Sequence, residues 1–260
     1  MKVVILCGGL GTRIRDVADN IPKPMIPIGG FPILWHIMRQ YAHFDFKDFV
    51  LCLGHQGVVI RNYFLNYEAY SNDFTLELGR HPNVEYHTSH NEIGWRVTLV
   101  ETGPHSMTGA RVKRVQKYIK DDEHFMLTYG DGVSNVDIKK LFAFHKKHGK
   151  ILTVTGVRPP GRFGELEYGG DFKVGAFNEK PQATGGRISG GFFVCRRELF
   201  DYLPEAENLV FEEDPVRQLV KKSEMMVYEH DGFWQPMDTY RDYKMLNDLY
   251  DSNKAPWKLW

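Results

Sequence analysis

Five apolar, β-prone residues, Val3 to Cys7, run straight into Gly8-Gly9-Leu10-Gly11-Thr12-Arg13. A strand that empties into a glycine turn constrains this chain more than any other feature. Glycine lets backbone N–H groups come close to a ligand. A row of such groups makes a nest for phosphate oxygens, and the planar fork of Arg13 suits the same oxygens. The pattern implies a place to hold a nucleoside triphosphate. Two common glycine loops do not fit. A dinucleotide fingerprint needs a third glycine where Ile14 stands, and a P-loop needs a lysine after its last glycine, which Gly11 lacks. Instead Lys23-Pro24 follows ten residues beyond Arg13.

The pattern beyond the loop alternates. Apolar residues at helical spacing predict a helix over 32–44, a strand over 48–54 and a helix over 56–67. Short strands fill 74–102. Thr108 reads as the N-cap of a helix over 109–119, and a strand over 125–129 ends at Gly130-Asp131-Gly132. Asp137 caps a helix over 138–148. Strands over 151–157, 164–168, 172–178, 189–195 and 225–229 follow, with helices near 197–203, 214–222 and 240–250. This order predicts an α/β fold, a Rossmann-like doubly wound mixed sheet in one domain over 1–260.

Charge excludes some partners. The 260 residues carry 33 basic and 33 acidic side chains, so neither a nucleic-acid surface nor a polybasic membrane anchor is indicated. Cys7, Cys52 and Cys195 lie scattered in apolar runs and read as small core residues in a reducing compartment. With no signal peptide and no long apolar run, the expectation is a cytoplasmic protein.

Ligands of open α/β sheets sit beyond the carboxyl ends of the strands. The loops after residues 7 and 129 therefore face one cleft. Asp131, between two glycines, is either a ligand for a hard cation that bridges phosphates or a turn aspartate bonded to its own backbone. Asp238 is either a second such ligand or the cap of the closing helix. Glu179-Lys180 is either functional or an exposed charge pair worth at most ~1 kcal/mol. Phe233 and Trp234 read as core aromatics. His87-x-x-His90 has metal spacing for a helix but lies in a strand-like stretch.

Gly-Gly-x-Gly-Thr-Arg with Lys23-Pro24 resembles the sugar-phosphate nucleotidyltransferases. The likeness extends through Pro32–Met38, Met107–Arg111, Tyr129–Gly132, Pro159–Gly164 and Glu179-Lys180-Pro181, nearly end to end. Gly232–Thr239 and the tail Lys254–Lys258 resemble the cytidylyl branch, whose partners are CTP and glucose 1-phosphate. The resemblance implies a nucleotide half over about 1–135 and a sugar half over about 136–260. Leu6, Gly8, Gly9, Gly11, Thr12, Arg13 and Lys23 would hold the nucleotide and its phosphates, with Thr108, Gly109 and Arg111 beside the base. Arg13, Lys23 and Asp131 would carry the chemistry, and Asp131 and Asp238 would share Mg2+. Tyr129, Gly164, Glu179, Lys180, Ser189 and Gly190 would line the sugar phosphate site. A homo-oligomer is implied too, with the aromatic tail 257–260 packed on a neighbour or folded back.

Three positions depart from that pattern. Ser189 stands where asparagine is usual, offering one hydroxyl in place of an amide, Pro27 stands where glutamate is usual, and Phe31 stands where lysine is usual. Another nucleotide or sugar 1-phosphate is the nearest alternative. A non-catalytic nucleotide-sugar-binding subunit is the alternative of another class, and the charged residues just named argue against it.

Overall fold

The computed structural model describes residues 1–9, 21–79, 83–119, 121–159, 165–168, 173–178 and 186–260, with backbone alone at 165–168 and 174–178. Among these residues seven strands form the main sheet: β1 (Lys2–Leu6), β2 (Asp48–Leu53), β3 (Arg96–Glu101), β4 (His124–Tyr129), β5 (Leu152–Val157), β6 (Ile188–Arg196) and β7 (Met225–His230). Their spatial order is β7-β5-β6-β4-β1-β2-β3. β1 runs parallel to β2 and β4, β2 to β3, and β5 to β7, whereas β6 runs antiparallel to both its neighbours. The mixed, doubly wound α/β sheet expected from the alternation is therefore present.

Period two explains the layers. Val3 and Ile5 pack into one core with Ile33, Leu34, Ile37 and Met38 of α1 (Ile33–His43). Val4 and Leu6 point the other way, into a core with Val112 of α3 (Thr108–Arg114) and Leu219 of α5 (Asp214–Lys221). Between these in sequence lie α2 (Gly57–Leu65) and α4 (Ile138–His148), and α6 (Tyr240–Asp251) closes the fold. Asp137 caps α4 as expected, its carboxylate accepting from Lys140 N at 2.9 Å, and Gly149 ends it at φ 65°. Cys7, Cys52 and Cys195 are buried free thiols.

Two local features differ from the sequence reading, and a third decides between two alternatives it left open. Thr108 is the first residue of α3 rather than its cap, and the helix breaks at Val115 before a separate turn over Gln116–Ile119. The reason lies in the segment before α5. Leu209 O accepts from Gly109 N and Ala110 N, so two of the first-turn N–H groups need no side-chain cap. A two-stranded ribbon over Gly132–Ser134 and Trp234–Pro236 was too short to show a period, yet it draws residue 238 towards residue 131. The tail folds back on its own chain: Trp257 is fully buried, stacked on Phe233 with ring centroids 5.5 Å apart.

Candidate active site

β1 and β4 are neighbours in register, Leu6 opposite Tyr129, so the two glycine turns that follow them lie side by side. They approach so closely that Gly130 N donates to Leu6 O at 3.0 Å, and a Cβ on Gly130 would stand 2.9 Å from that oxygen. The chain leaves β1 towards β2 and β3, then crosses back to β4. This is the topological switch point where open sheets hold ligands. A cavity of about 390 Å3 opens there, with Leu6, Gly8, Gly9, Lys23, Thr108, Arg111, Tyr129 and Asp131 on its walls. A second, of about 230 Å3, shares Tyr129 and Asp131 and adds Ser189, Gly190, Trp234 and Asp238.

Lys23 stands where the two cavities meet. Its Nζ lies 2.7 Å from Asp131 Oδ2 and 2.6 Å from Asp238 Oδ1. The lysine is 14% exposed and the carboxylates 33% and 28%, so the group is sheltered without being sealed. Burial alone would lower the pKa of Lys23, but the two carboxylates outweigh it and hold the pKa above its ordinary value. Asp131 thus uses its carboxylate on Lys23, not on its own turn. Asp238 is not the cap of α6 either. That role falls to Thr239, whose hydroxyl accepts from Asp242 N while Asp242 accepts from Thr239 N and from Asp238 N.

Arg111 is nearly buried. Its guanidinium donates to Leu53 O at 3.0 Å, Thr102 Oγ1 at 2.9 Å and Gly8 O at 2.9 Å. It therefore ties together the carboxyl ends of β1, β2 and β3. A Cβ on Gly8 or Gly54 would stand 2.2 or 2.3 Å from this guanidinium, so both positions need glycine for space. Burial lowers the pKa of Arg111, although arginine stays charged. Gly109, expected beside the nucleotide, packs on Leu209, whose side chain would lie 2.7 Å from an added Cβ.

Of the residues expected here, the fold gathers Leu6, Gly8, Gly9, Lys23, Thr108, Arg111, Tyr129, Asp131, Ser189, Gly190 and Asp238 around the paired cavities. Gly11, Thr12, Arg13, Gly164, Glu179 and Lys180 lie outside the described residues. Trp234, read as a core aromatic, is half-buried on the second cavity's wall and donates from its indole to Gly190 O at 2.7 Å. Glu212 was missed. It accepts from the hydroxyls of Thr108 and Tyr129, and its only sequence signal was an acidic run ahead of Pro215. His87 bonds Thr75 and His90 pairs with Glu68. Among the described residues no group of three or more His, Cys, Asp or Glu side chains is arranged to hold a metal.

A family model described as nucleotidyl transferase matches residues 2–253. The chain belongs to this family. It is 48% identical over its full 260 residues to the glucose-1-phosphate cytidylyltransferase of Salmonella typhimurium, covering all of both chains. It is 41% identical, again over the whole of both chains, to a probable glucose-1-phosphate cytidylyltransferase of Bacillus subtilis. Among solved structures, HddC from Yersinia pseudotuberculosis complexed with GMP-PN superposes with a TM-score of 0.69 at 23% identity, over 96% of this chain and 99% of that one. A putative glucose-1-phosphate thymidylyltransferase from Bacillus anthracis gives 0.69 at 18% identity, over 96% and 94%. At these identities the two structures speak to the fold alone.

Proposed function

We propose that the protein joins CTP and glucose 1-phosphate to give CDP-glucose and pyrophosphate. The observation that carries this reading is the Lys23–Asp131–Asp238 cluster between two adjoining cavities at the switch point, in a chain that matches cytidylyltransferases end to end. The larger cavity takes the nucleotide, and the smaller, walled by Ser189, Gly190 and Trp234, takes the sugar phosphate. The nucleotide half then spans about 1–135 and the sugar half about 136–260, on one sheet.

The sugar phosphate is already ionised at neutral pH, so its oxygen attacks the α-phosphorus of CTP without a general base. The obstacle is repulsion between two polyanions, and positioning with charge stabilisation supplies most of the rate. Lys23, whose raised pKa keeps it cationic, exchanges carboxylate oxygens for phosphate oxygens as the nucleotide enters. Arg111 donates to Gly8 O and so holds the start of the glycine turn beside the cavity. Arg13 serves the departing pyrophosphate. Asp131 and Asp238 fit a Mg2+ ion, since two hard oxygen donors from distant segments already converge on one cation, the Lys23 ammonium. When bound, Mg2+ supplies charge neutralisation to the phosphates.

A homo-oligomer and a cytoplasmic location belong to the same reading. A ribbon over Phe74–Glu77 and Asn83–Tyr86 exposes Phe74, Leu76, Val84 and Tyr86, an apolar surface suited to a second copy. No described helix is long and apolar enough to cross a membrane. The test of the activity is pyrophosphate release with Mg2+, pairing CTP, UTP, dTTP, ATP and GTP each with several sugar 1-phosphates. Release with CTP and glucose 1-phosphate is expected. Release with CTP and another sugar alone moves specificity to Ser189 and its neighbours. Folded protein inactive with every pair overturns the catalytic reading.

A further inference from the structure

Glu212 lines neither cavity, yet both its carboxylate oxygens are committed to residues that do. Oε2 accepts from the Thr108 hydroxyl at 2.7 Å, and Oε1 accepts from the Tyr129 phenol. Thr108 stands on the rim of the nucleotide cavity, and Tyr129 is on the wall that both cavities share. The Tyr129 ring lies so close over Gly191 that a Cβ there would stand 2.4 Å from it, and Gly191 itself has φ +76°. Phe193 meets the ring edge-on at 6.0 Å. Packing holds the ring from below, and one carboxylate holds its outer end.

We propose that Glu212 is a positioning residue that fixes the partition of the cleft, setting through Tyr129 the wall between nucleotide and sugar phosphate and through Thr108 the nucleotide rim. The inference rests on the two-cavity reading given above. Three observations support it. Glu212 lines neither cavity, and it reaches their walls only through the hydroxyl groups of Thr108 and Tyr129. Anchoring of the 204–213 segment does not depend on Glu212, because Met107 N, Gly109 N and Ala110 N already bond Glu207 O and Leu209 O. The chemistry also needs two acceptor oxygens. Each hydroxyl donates to its own oxygen, and a glutamine in this place has only one to offer. Hydroxyl–carboxylate bonds are the stronger kind, which suits a fixed wall better than a neutral pair.

The experiment compares wild type, Glu212→Gln, Tyr129→Phe and the double variant, with Glu213→Gln as a charge-matched control. Steady-state kinetics with CTP and glucose 1-phosphate are read beside thermal unfolding. Glu212→Gln is expected to lower kcat/KM for both substrates about tenfold, with KM raised and the melting temperature close to wild type. Tyr129→Phe should do the same, the double variant should be no worse than the poorer single, and the control should match wild type. Additive losses, or a lowered melting temperature with KM unmoved, overturn the proposal in favour of a structural role. Should wild type release no pyrophosphate with any substrate pair, the assigned activity falls. Crystal structures of wild type and Glu212→Gln then decide the positioning separately: a Tyr129 ring unmoved over Gly191 in the variant refutes it, and a displaced ring supports it.

Discussion

Two polar knots tie the early chain to its far end. Lys23 reaches Asp238 across 215 residues, and His36 reaches Trp257 across 221. The first is ionic, partly exposed and opens onto cavities. The second is neutral and buried: His36 has Nε2 2.9 Å from Ile28 O, and Trp257 Nε1 donates to Nδ1 at 3.4 Å, among the rings of Trp35, Tyr250 and Trp260. Full burial of a charged set costs several kcal/mol per ion, so a knot that serves the fold is better made neutral and saturated. A charged knot kept at a cavity mouth stays available to exchange partners. This contrast fits the chemical role proposed for the Lys23 knot, whereas the His36 knot fits a role in the fold.

The contrast breaks most sharply at Lys23 itself. Lys23→Ala is expected to lower turnover by about a thousandfold, the scale of losing one preorganised charge donor, while the unfolding midpoint shifts little because partly exposed ion pairs contribute little. Pyrophosphate release and circular dichroism melts read the two effects. Near-normal turnover in a folded variant removes Lys23 from the mechanism.

Trp257→Ala should show the opposite split. Emptying a fully buried indole site costs about 3–5 kcal/mol, read as a lower urea midpoint, while turnover per folded molecule falls far less than in Lys23→Ala. If the activity losses of the two variants match, the division between a chemical and a structural knot is wrong.

Legibility in the sequence followed the same division. The sheet was readable because its central strands β1 and β2 carry apolar runs of five residues, the others are rich in β-branched and aromatic residues, and its long helices keep a 3.6 period. Lys23, Asp131 and Asp238 were nameable from local motifs, and the resemblance paired the two aspartates. What was hidden depends on contacts between distant segments. The contact of both carboxylates with Lys23 comes from the Gly132–Ser134 and Trp234–Pro236 ribbon, three residues a side, too short for any period. Arg111 was named from the resemblance and lines the larger cavity, but its own segment does not reveal that three strand ends converge on it. Thr108 read as a cap because Thr before a helix usually is one, but Phe211 N and Glu212 claim its hydroxyl. Glu212 carried only an acidic run, which by itself points to no site.

Acid separates the knots further. Burial holds His36 down to about 4, and His145, buried beside Thr153, to about 3. An unfolded imidazole titrates near ~6.5, so as pH falls the unfolded chain takes up protons before the folded one. Stability is therefore full above about pH 6.5 and declines as pH falls towards the folded values, by roughly 3 kcal/mol from His36. Protonation at Nδ1 also ends its acceptance from Trp257. Urea midpoints between pH 7.5 and 4.5 should fall, and the slope should shrink in His36→Gln. An identical slope in that variant would mean His36 is not the group that titrates.

The smallest effect sharpens the boundary of the ionic knot. Asp238 is aimed at Lys23 by the start of α6, where Asp242 Oδ2 accepts from Asp238 N at 3.1 Å and from Thr239 N at 2.9 Å. Thr239→Ala removes the hydroxyl half of this capping box and should cost about 1 kcal/mol in stability. It leaves the carboxylate half in place. Asp242 still holds the backbone of residue 238, so turnover should stay within about threefold of wild type, less than one kcal/mol in the barrier. Asp242→Ala removes the hold on Asp238 as well, and its turnover should fall further than its stability loss accounts for. If both variants lose turnover only in step with stability, the orientation of Asp238 comes from the Trp234–Pro236 strand rather than from the cap.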